Sequence, residues 1–330
     1  MLLLIMIMIS SVFTISSNNW LSSWFGLEIN MISFIPLMYS NKNSITNESL
    51  IKYFIIQAIG SSTFLFANLI NSFCLYTFQI NFFSSGNTLL MLTPLMLKLG
   101  MTPFQFWFIS VIEGLNWFNC YILFTWQKIA PLFLILYLYS STNLILLLSL
   151  PSLILSPIAI FNQTSLRKIL AYSSVNHLSW MMISLIMSKN MLLFYFFAYS
   201  LTLIPLIVIF YFNNITTLNN MIHIKSNFLY FSLIVSTLSL GGLPPFLGFL
   251  PKWMIFEFLI NSNSFVMMLL LILSSLMILY IYMHIIFNFT LLHFSFLKWI
   301  YFTQTSFFYL PLIIFMNTMN WFSILLFNLF

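Results

Sequence analysis

Charged residues are scarce in this sequence. Of its 330 residues, 4% are charged and 62% are hydrophobic; aspartate does not occur, and arginine occurs once, at Arg167. A soluble domain cannot cover its surface with so few charges. The composition therefore excludes a soluble globular protein and predicts an all-α polytopic membrane protein.

Cysteine pairs and cofactor motifs are also lacking. The two cysteines, Cys74 and Cys120, lie far apart in apolar sequence, which excludes a disulfide framework and a cysteine metal site. The patterns C-x-x-C, G-x-G-x-x-G and G-K-[ST] do not occur, so we predict no iron–sulfur, dinucleotide or ATP site in this chain. The excess charge of +6 is dispersed, and this predicts no nucleic-acid partner.

Apolar runs separated by short polar loops predict about eleven transmembrane helices. We place them near 2–15, 21–39, 50–70, 88–112, 115–139, 144–161, 169–187, 191–212, from 227 through a break, 265–289 and 307–329. With eleven spans, one side carries six basic residues: Lys42, Lys52, Arg167, Lys168, Lys225 and Lys298. The positive-inside rule makes that side the interior one, and the N-terminus shares it.

The fourth and ninth predicted spans contain glycine and proline within apolar sequence. The fourth holds K-L-G-M-T-P at 98–103 and the ninth holds G-G-L-P-P at 241–245, so neither can be an unbroken helix. Paired broken helices mark the ion site of transporters built from inverted repeats. We therefore predict one transmembrane domain over 1–330, with inverted five-helix repeats near 1–140 and 141–290 and a final helix near 305–330.

Three lysines, Lys98, Lys128 and Lys252, lie in or beside these apolar runs. A lysine at the bilayer centre costs about 2.5–3.5 kcal/mol, so such a residue indicates a functional site by default. The alternative is that these side chains extend to the lipid headgroups. A carboxylate at Glu28, in the second span, would be neutral or paired, unless it lies near the headgroups at a helix start.

The seventh span carries unusual polarity around His177, including Ser173, Ser174, Asn176 and Ser179. This pattern predicts a helix face turned towards protein or water and away from lipid. Because an unperturbed histidine has a pKa of about 6.5, His177 is a candidate proton carrier. A structural, hydrogen-bonded histidine explains the pattern equally well.

Five blocks of sequence, in order, resemble the mitochondrially encoded chain 2 family of NADH:ubiquinone oxidoreductase, respiratory complex I. The blocks are W-F-G-L-E-I-N-M-I-S-F-I-P (24–36), L-K-L-G-M-T-P-F-Q-F-W (97–107), W-Q-K-I-A-P-L (126–132), N-Q-T-S-L-R-K-I-L-A-Y-S-S-V-N-H-L-S-W-M (162–181) and G-G-L-P-P-F-L-G-F-L-P-K-W (241–253). The resemblance covers most of the chain. It implies an antiporter-like membrane subunit that translocates protons.

In that family a glutamate–lysine pair and a line of central lysines carry protons. The resemblance therefore implies that Glu28 pairs with Lys98, and that Lys128 and Lys252 continue the relay, with His177 as a further candidate.

The chain departs from the family pattern at two positions. Gln105 replaces a histidine that many relatives have, and the acidic residue that often follows is displaced to Glu113. We therefore leave both residues out of the predicted site.

The resemblance also implies the cellular context. NADH, FMN, iron–sulfur clusters and ubiquinone are expected in partner subunits, and the partners are other complex I membrane and supernumerary subunits, with phospholipids such as cardiolipin. The expected location is the mitochondrial inner membrane, with the N-terminus in the matrix. Two other functions fit the lysines and broken helices: a free-standing cation/proton antiporter, and a structural membrane subunit.

Overall fold

The computed structural model describes residues 2–39, 44–77, 84–138, 142–223, 227–295 and 310–321. In these ranges the chain is almost entirely α-helical, and the only β-type pairing is an isolated bridge between Ser165 and Thr217. The helices are α1 Leu2–Ser16, α2 Trp20–Met38, α3 Ser44–Thr77, α4 Ser84–Leu99, α5 Gln105–Gly114, α6 Trp117–Phe124, α7 Trp126–Tyr137, α8 Thr142–Ile160, α9 Leu166–Met187, α10 Lys189–Phe212, α11 Asn227–Gly241, α12 Phe249–Asn261, α13 Phe265–Ser295 and α14 Leu310–Trp321. A 3-10 helix covers Leu218–His223.

Six segments of the described chain are long and apolar enough to cross a membrane. They are Trp20–Met38, Ser44–Phe73, Trp117–Tyr137, Leu166–Met187, Lys189–Phe212 and Phe265–Asn288. About twenty apolar residues span the hydrocarbon core as a helix, with every backbone hydrogen bond made inside the segment. The predicted all-α membrane architecture is therefore confirmed, whereas the number eleven stays a prediction.

Both predicted helix breaks are present. The fourth predicted span consists of α4 and α5, separated by residues 100–104, and the ninth consists of α11 and α12, separated by residues 242–248. A third interruption, at Thr125 between α6 and α7, was not predicted.

A further difference concerns the start of α3. Glu48 lies within α3, where it forms an ion pair with Lys52 one turn later, and not in the polar loop that was predicted around it. Of the predicted final helix, residues 310–321 are described. Lys42, Lys225 and Lys298, which support the predicted orientation, lie outside the described residues.

The chain divides into two compact units, Met1–Ser152 and Leu153–Phe330. In the first unit, α3 packs against α2, α4 and α5, while α7 packs against α1, α4 and α6. The indole N–H of Trp126 donates to the Ser11 hydroxyl at 3.1 Å, which joins the start of α7 to α1.

In the second unit, α10 packs against α9, α11, α12 and α14, and α13 packs against α11 and α12. Of the six segments of the described chain that are long enough to cross a membrane, α9 is the most enclosed, since 94% of its apolar stretch is buried. The prediction that this polar helix faces protein is thereby confirmed.

Candidate functional site

Lys98 stands in the last turn of α4, just before the break, and is 7% exposed. Gly100 takes a φ of +70°, in the left-handed region that favours glycine. Its amide donates to the Leu97 carbonyl at 3.1 Å, and the Met101 amide donates to the Met96 carbonyl at 3.2 Å. These two bonds form a Schellman motif, which ends the helix and satisfies its last carbonyl groups.

One face of α3 lies directly against Lys98. A Cβ atom added at Gly60 would meet the Lys98 side chain at 3.2 Å, so the absence of a side chain there allows the lysine to pass close to α3. One turn earlier, the amide N–H of Gln57 donates to the Lys98 backbone carbonyl at 3.4 Å. The position of Lys98 is thus set by a glycine and an amide that precede it in the chain by about 40 residues.

Lys128 lies in the first turn of α7 and is 2% exposed. Its ammonium nitrogen is 5.3 Å from the ring centroid of Phe108, a residue of α5. A cation within about 6 Å of an aromatic face is attracted by the ring quadrupole. The Phe108 ring therefore offsets part of the hydration free energy that the Lys128 ammonium group loses on burial.

Lys98 and Lys128 line the same cavity, which has a volume of about 20 Å³. A cavity needs about 10–15 Å³ to hold one water molecule, so this one has room for a single water-sized guest. In the described chain its other polar lining is neutral: Asn30, Tyr53, Gln57, Trp107 and Gln127. The cavity is therefore lined by two buried lysines and by neutral polar side chains.

Glu28 is half-buried on α2, the helix that also contributes Leu27, Asn30 and Met31 to the cavity lining. Lys52 and Glu48 form an ion pair closer than 4 Å, whereas Glu28 and Lys98 form none within that distance in the described ranges. The pairing of Glu28 with Lys98 therefore stays a prediction.

The second unit contains Lys252, in the first turn of α12, and this residue is 5% exposed. Its ammonium group donates to the Gly241 carbonyl, the end of α11, at 2.9 Å. The next residue, Gly242, has a φ of +81°, and a Cβ atom there would lie 2.7 Å from the Lys252 nitrogen. A break that ends in glycine therefore leaves both the carbonyl and the space that the lysine occupies.

Aromatic and polar groups surround this second lysine. The Lys252 nitrogen lies 5.6 Å from the Trp180 ring centroid, and Trp180 stacks on Tyr195 at 6.4 Å. The Tyr195 hydroxyl is 2.9 Å from Nδ1 of His177. His177 and Tyr195 line a smaller cavity of about 10 Å³, so the histidine has both a hydrogen-bonded role and access to a confined space.

The serines of α9 contribute less than their number suggests. Ser173, Ser174 and Ser179 donate to carbonyl groups three residues earlier in their own helix, at 2.5–2.9 Å. Such hydroxyl groups satisfy themselves without water. The amide oxygen of Asn176 differs, because it is buried without a hydrogen-bond partner in the described structure.

All three predicted lysines are buried inside the protein, and their depth in the membrane stays a prediction. Lys98, Lys128 and Glu28 belong to the first unit, and Lys252 and His177 to the second.

The two residues left out of the site differ in environment. Gln105 is buried, with a side-chain oxygen that has no described partner, whereas Glu113 is exposed near the end of α5. Neither residue lines the cavity shared by the lysines.

Several residues around the lysines were not predicted from the sequence. The amides of Asn30, Gln57 and Gln127, and the rings of Tyr53 and Trp180, surround the lysines. The three amides carried a signal, because a polar side chain inside an apolar span usually faces protein.

Glu257, an acidic residue in α12, was not part of the predicted site. It is exposed and has no close cation within the described chain. The described residues contain no cluster of three or more His, Cys, Asp or Glu side chains that could hold a metal ion.

The fold matches that of chains from respiratory membrane complexes. A chain of respiratory complex I from Thermus thermophilus, solved with bound aureothin, superimposes with a TM-score of 0.85 at 21% identity, covering 98% of this chain and 77% of that one. A chain of the archaeal membrane-bound sulfane sulfur reductase gives a TM-score of 0.83 at 16% identity, over 99% of this chain and 73% of the other.

Sequence comparison narrows the assignment. The family described as NADH:quinone oxidoreductase/Mrp antiporter, transmembrane, matches residues 17–278. The NADH-ubiquinone oxidoreductase chain 2 of Anopheles gambiae is 42% identical over 90% of this chain and 87% of its own length. The chain therefore belongs to the NADH:quinone oxidoreductase/Mrp antiporter membrane family, within its chain 2 group, as the five sequence blocks predicted.

Proposed function

We propose that this chain is a proton-translocating membrane subunit of respiratory complex I in the mitochondrial inner membrane. Family membership and the chain 2 relatives support this assignment. Redox chemistry would take place in partner subunits, which would hold the NADH, FMN, iron–sulfur and ubiquinone sites. Moving a proton against the membrane potential requires about 2.3 kcal/mol per 100 mV, and partner subunits would supply that energy.

The observation that carries the mechanism is the cavity shared by Lys98 and Lys128. A single water in it would lie beside both side chains and could accept a proton from one ammonium while donating to the other, neutral amine. The proton would therefore pass between α4 and α7 without crossing apolar protein.

Glu28 would bias this exchange. A negative charge nearby would favour the charged form of Lys98, and burial would disfavour it. A change in the pairing of Glu28 would then move the proton towards Lys128, and the relay would continue to Lys252, with His177 as a further carrier. The Gly241 carbonyl, at a helix C-terminus, is an electrostatically favourable partner for a charged Lys252.

The repeat architecture belongs to the same proposal: about eleven spans, inverted repeats near 1–140 and 141–290, a final helix near 305–330, and the N-terminus in the matrix. It is supported by a common backbone pattern at the two breaks. The Gly242 amide donates to the Ser239 carbonyl at 3.1 Å, and the Leu243 amide donates to the Leu238 carbonyl at 3.4 Å. These two bonds repeat the Schellman pattern found at Gly100.

The decisive test is Lys98→Met, which keeps most of the side-chain volume and removes the titratable group. We expect assembly of the complex to stay largely intact while NADH-driven proton pumping into the lumen of reconstituted vesicles is lost. Lys189→Met, at an exposed lysine at the start of α10, is the matched control and should pump normally. Normal pumping by Lys98→Met would refute the relay.

The free-standing antiporter predicts a different result. It would assemble alone and exchange cations for protons without NADH, so its purification outside a large complex would favour that function instead.

A further inference from the structure

We propose that Asn30 and Gln127 are positioning residues of the proton relay. Their amide-to-amide hydrogen bond forms part of the cavity wall and sets the separation across which Lys98 and Lys128 exchange a proton. This inference rests on the proposed function of the two lysines.

The bond connects two helices that carry relay residues. The amide N–H of Gln127, on α7, donates to the side-chain oxygen of Asn30, on α2, at 3.0 Å. Both amides line the cavity, and Asn30 is 3% exposed. Gln127 directly precedes Lys128, and Asn30 follows Glu28 by two residues, so one bond ties the glutamate helix to the lysine helix.

The chemistry of primary amides suits this position. Amides do not titrate near neutral pH, so they do not compete with the lysines for the proton. The bond uses one N–H of Gln127 and the oxygen of Asn30, which leaves the Gln127 oxygen as an acceptor and the Asn30 N–H groups as donors. A water in the cavity can therefore be oriented by neutral groups while the lysines change charge.

Gln57 lines the same cavity but has a different role. Its amide is bonded to the Lys98 backbone carbonyl, so it holds the end of α4 and not the gap between α2 and α7. The Asn30–Gln127 hydrogen bond spans that gap. Its loss would allow Lys128 and the adjoining wall of the cavity to shift.

The experiment compares Gln127→Met, Asn30→Leu and the double variant in the assembled complex, reconstituted in vesicles. Each removes the neutral hydrogen bond, and we expect the pumping rate per assembled complex to fall about fivefold, with a larger solvent deuterium isotope effect. Because both single changes break the same bond, the double variant should be no slower than either one.

Two further variants make the test specific. Exchanging the amides, Asn30→Gln with Gln127→Asn, keeps their combined length and should restore most of the rate. Gln127→Glu keeps the size of the side chain but adds a carboxylate beside Lys128. This negative charge should hold the proton at that place and stop pumping in the assembled complex. Gln105→Met is the control, because this buried amide lies outside the cavity lining.

The outcomes separate this inference from the proposed function. If the assembled Gln127→Met complex pumps at the normal rate with an unchanged isotope effect, the amides are structural and the inference fails, even where the yield of complex is lower. It also fails if Gln127→Glu pumps normally or if the exchange variant assembles without recovering the rate. If the inference fails in one of these ways while Lys98→Met still loses pumping, the lysine relay of the proposed function remains supported.

Discussion

The two broken helices share a backbone pattern but carry their lysines in different places. Gly100 and Gly242 both take left-handed φ values, +70° and +81°. The turn that follows is closed by the same type of hydrogen bond in both breaks. The Phe104 amide donates to the Met101 carbonyl at 2.7 Å, and the Phe246 amide donates to the Leu243 carbonyl at 3.0 Å. Lys98 stands two residues before its glycine, whereas Leu240 holds that place in the second unit, and Lys252 comes ten residues after Gly242.

The two units therefore share the backbone conformation of the break, whereas the position and contacts of the lysine differ between them. The glycine–proline break repeats because it opens a helix inside an apolar region and leaves backbone groups at that depth. The lysine does not repeat with it. Lys98 faces a cavity with room for a water, while Lys252 is bonded to the carbonyl that its own break exposes. The first arrangement suits exchange, and the second suits holding a charge.

The largest effect is expected for Gly248→Ala, within the second break. A Cβ atom at Gly248 would overlap the Ser239 carbonyl oxygen, so the backbone of the turn would have to move. We expect the complex not to assemble, as measured by native gel electrophoresis. Gly241→Ala is the control, since its Cβ would meet its nearest neighbour, Tyr282, at 3.6 Å and the complex should form. Normal assembly of Gly248→Ala would contradict this structure of the break.

A second pair of variants contrasts the two breaks directly. Alanine at Gly100 or at Gly242 costs about 1–2 kcal/mol for the left-handed backbone. At Gly100 the new Cβ would lie 2.7 Å from the Cβ of Phe108, next to the backbone of α5, whereas at Gly242 it would lie 2.7 Å from the terminal nitrogen of Lys252, the far end of a long side chain.

We therefore expect Gly100→Ala to reduce assembly more, and Gly242→Ala to assemble while losing most of its pumping. The amount of complex on native gels and the pumping rate per complex measure the two effects. If both variants behave alike, the contrast between the breaks does not extend to function.

A smaller effect is expected for Gly60→Ala, which tests the contact between α3 and Lys98. Its Cβ would lie 3.1 Å from Leu97 and 3.2 Å from Lys98, so both side chains must shift by a few tenths of an ångström. We expect normal assembly and a pumping rate about two- to threefold lower, because that shift changes the reach of Lys98 in the cavity. An unchanged rate would show that Lys98 tolerates displacement.

Much of the fold followed from patterns that act locally. Apolar run length predicted the membrane helices, and glycine with proline predicted both breaks, since these residues disrupt a helix wherever they occur. The interruption at Thr125 was missed because no glycine marks it, and the proline nearest to it, Pro131, lies inside α7. The helical position of Glu48 was missed because a polar stretch reads equally well as a loop or as the start of a helix.

The candidate site was predictable in part. A lysine in apolar sequence is costly, so Lys98 and Lys128 stood out without any structure. That they share one cavity could not be predicted, because it depends on how α4 and α7 pack. For the same reason, the bond between Asn30 and Gln127, which lie 97 residues apart, had no local signal beyond the polarity of each residue.

The sequence by itself determined the membrane class, the family, the two breaks and the identity of the buried lysines, because each depends on composition or on a short run of residues. The tertiary structure decided what surrounds those lysines: a water-sized cavity for Lys98 and Lys128, and a helix-end carbonyl with an aromatic ring for Lys252. The cavity and the aromatic ring come from residues distant in the chain that helix packing brings together, whereas the Gly241 carbonyl belongs to the same broken span as Lys252.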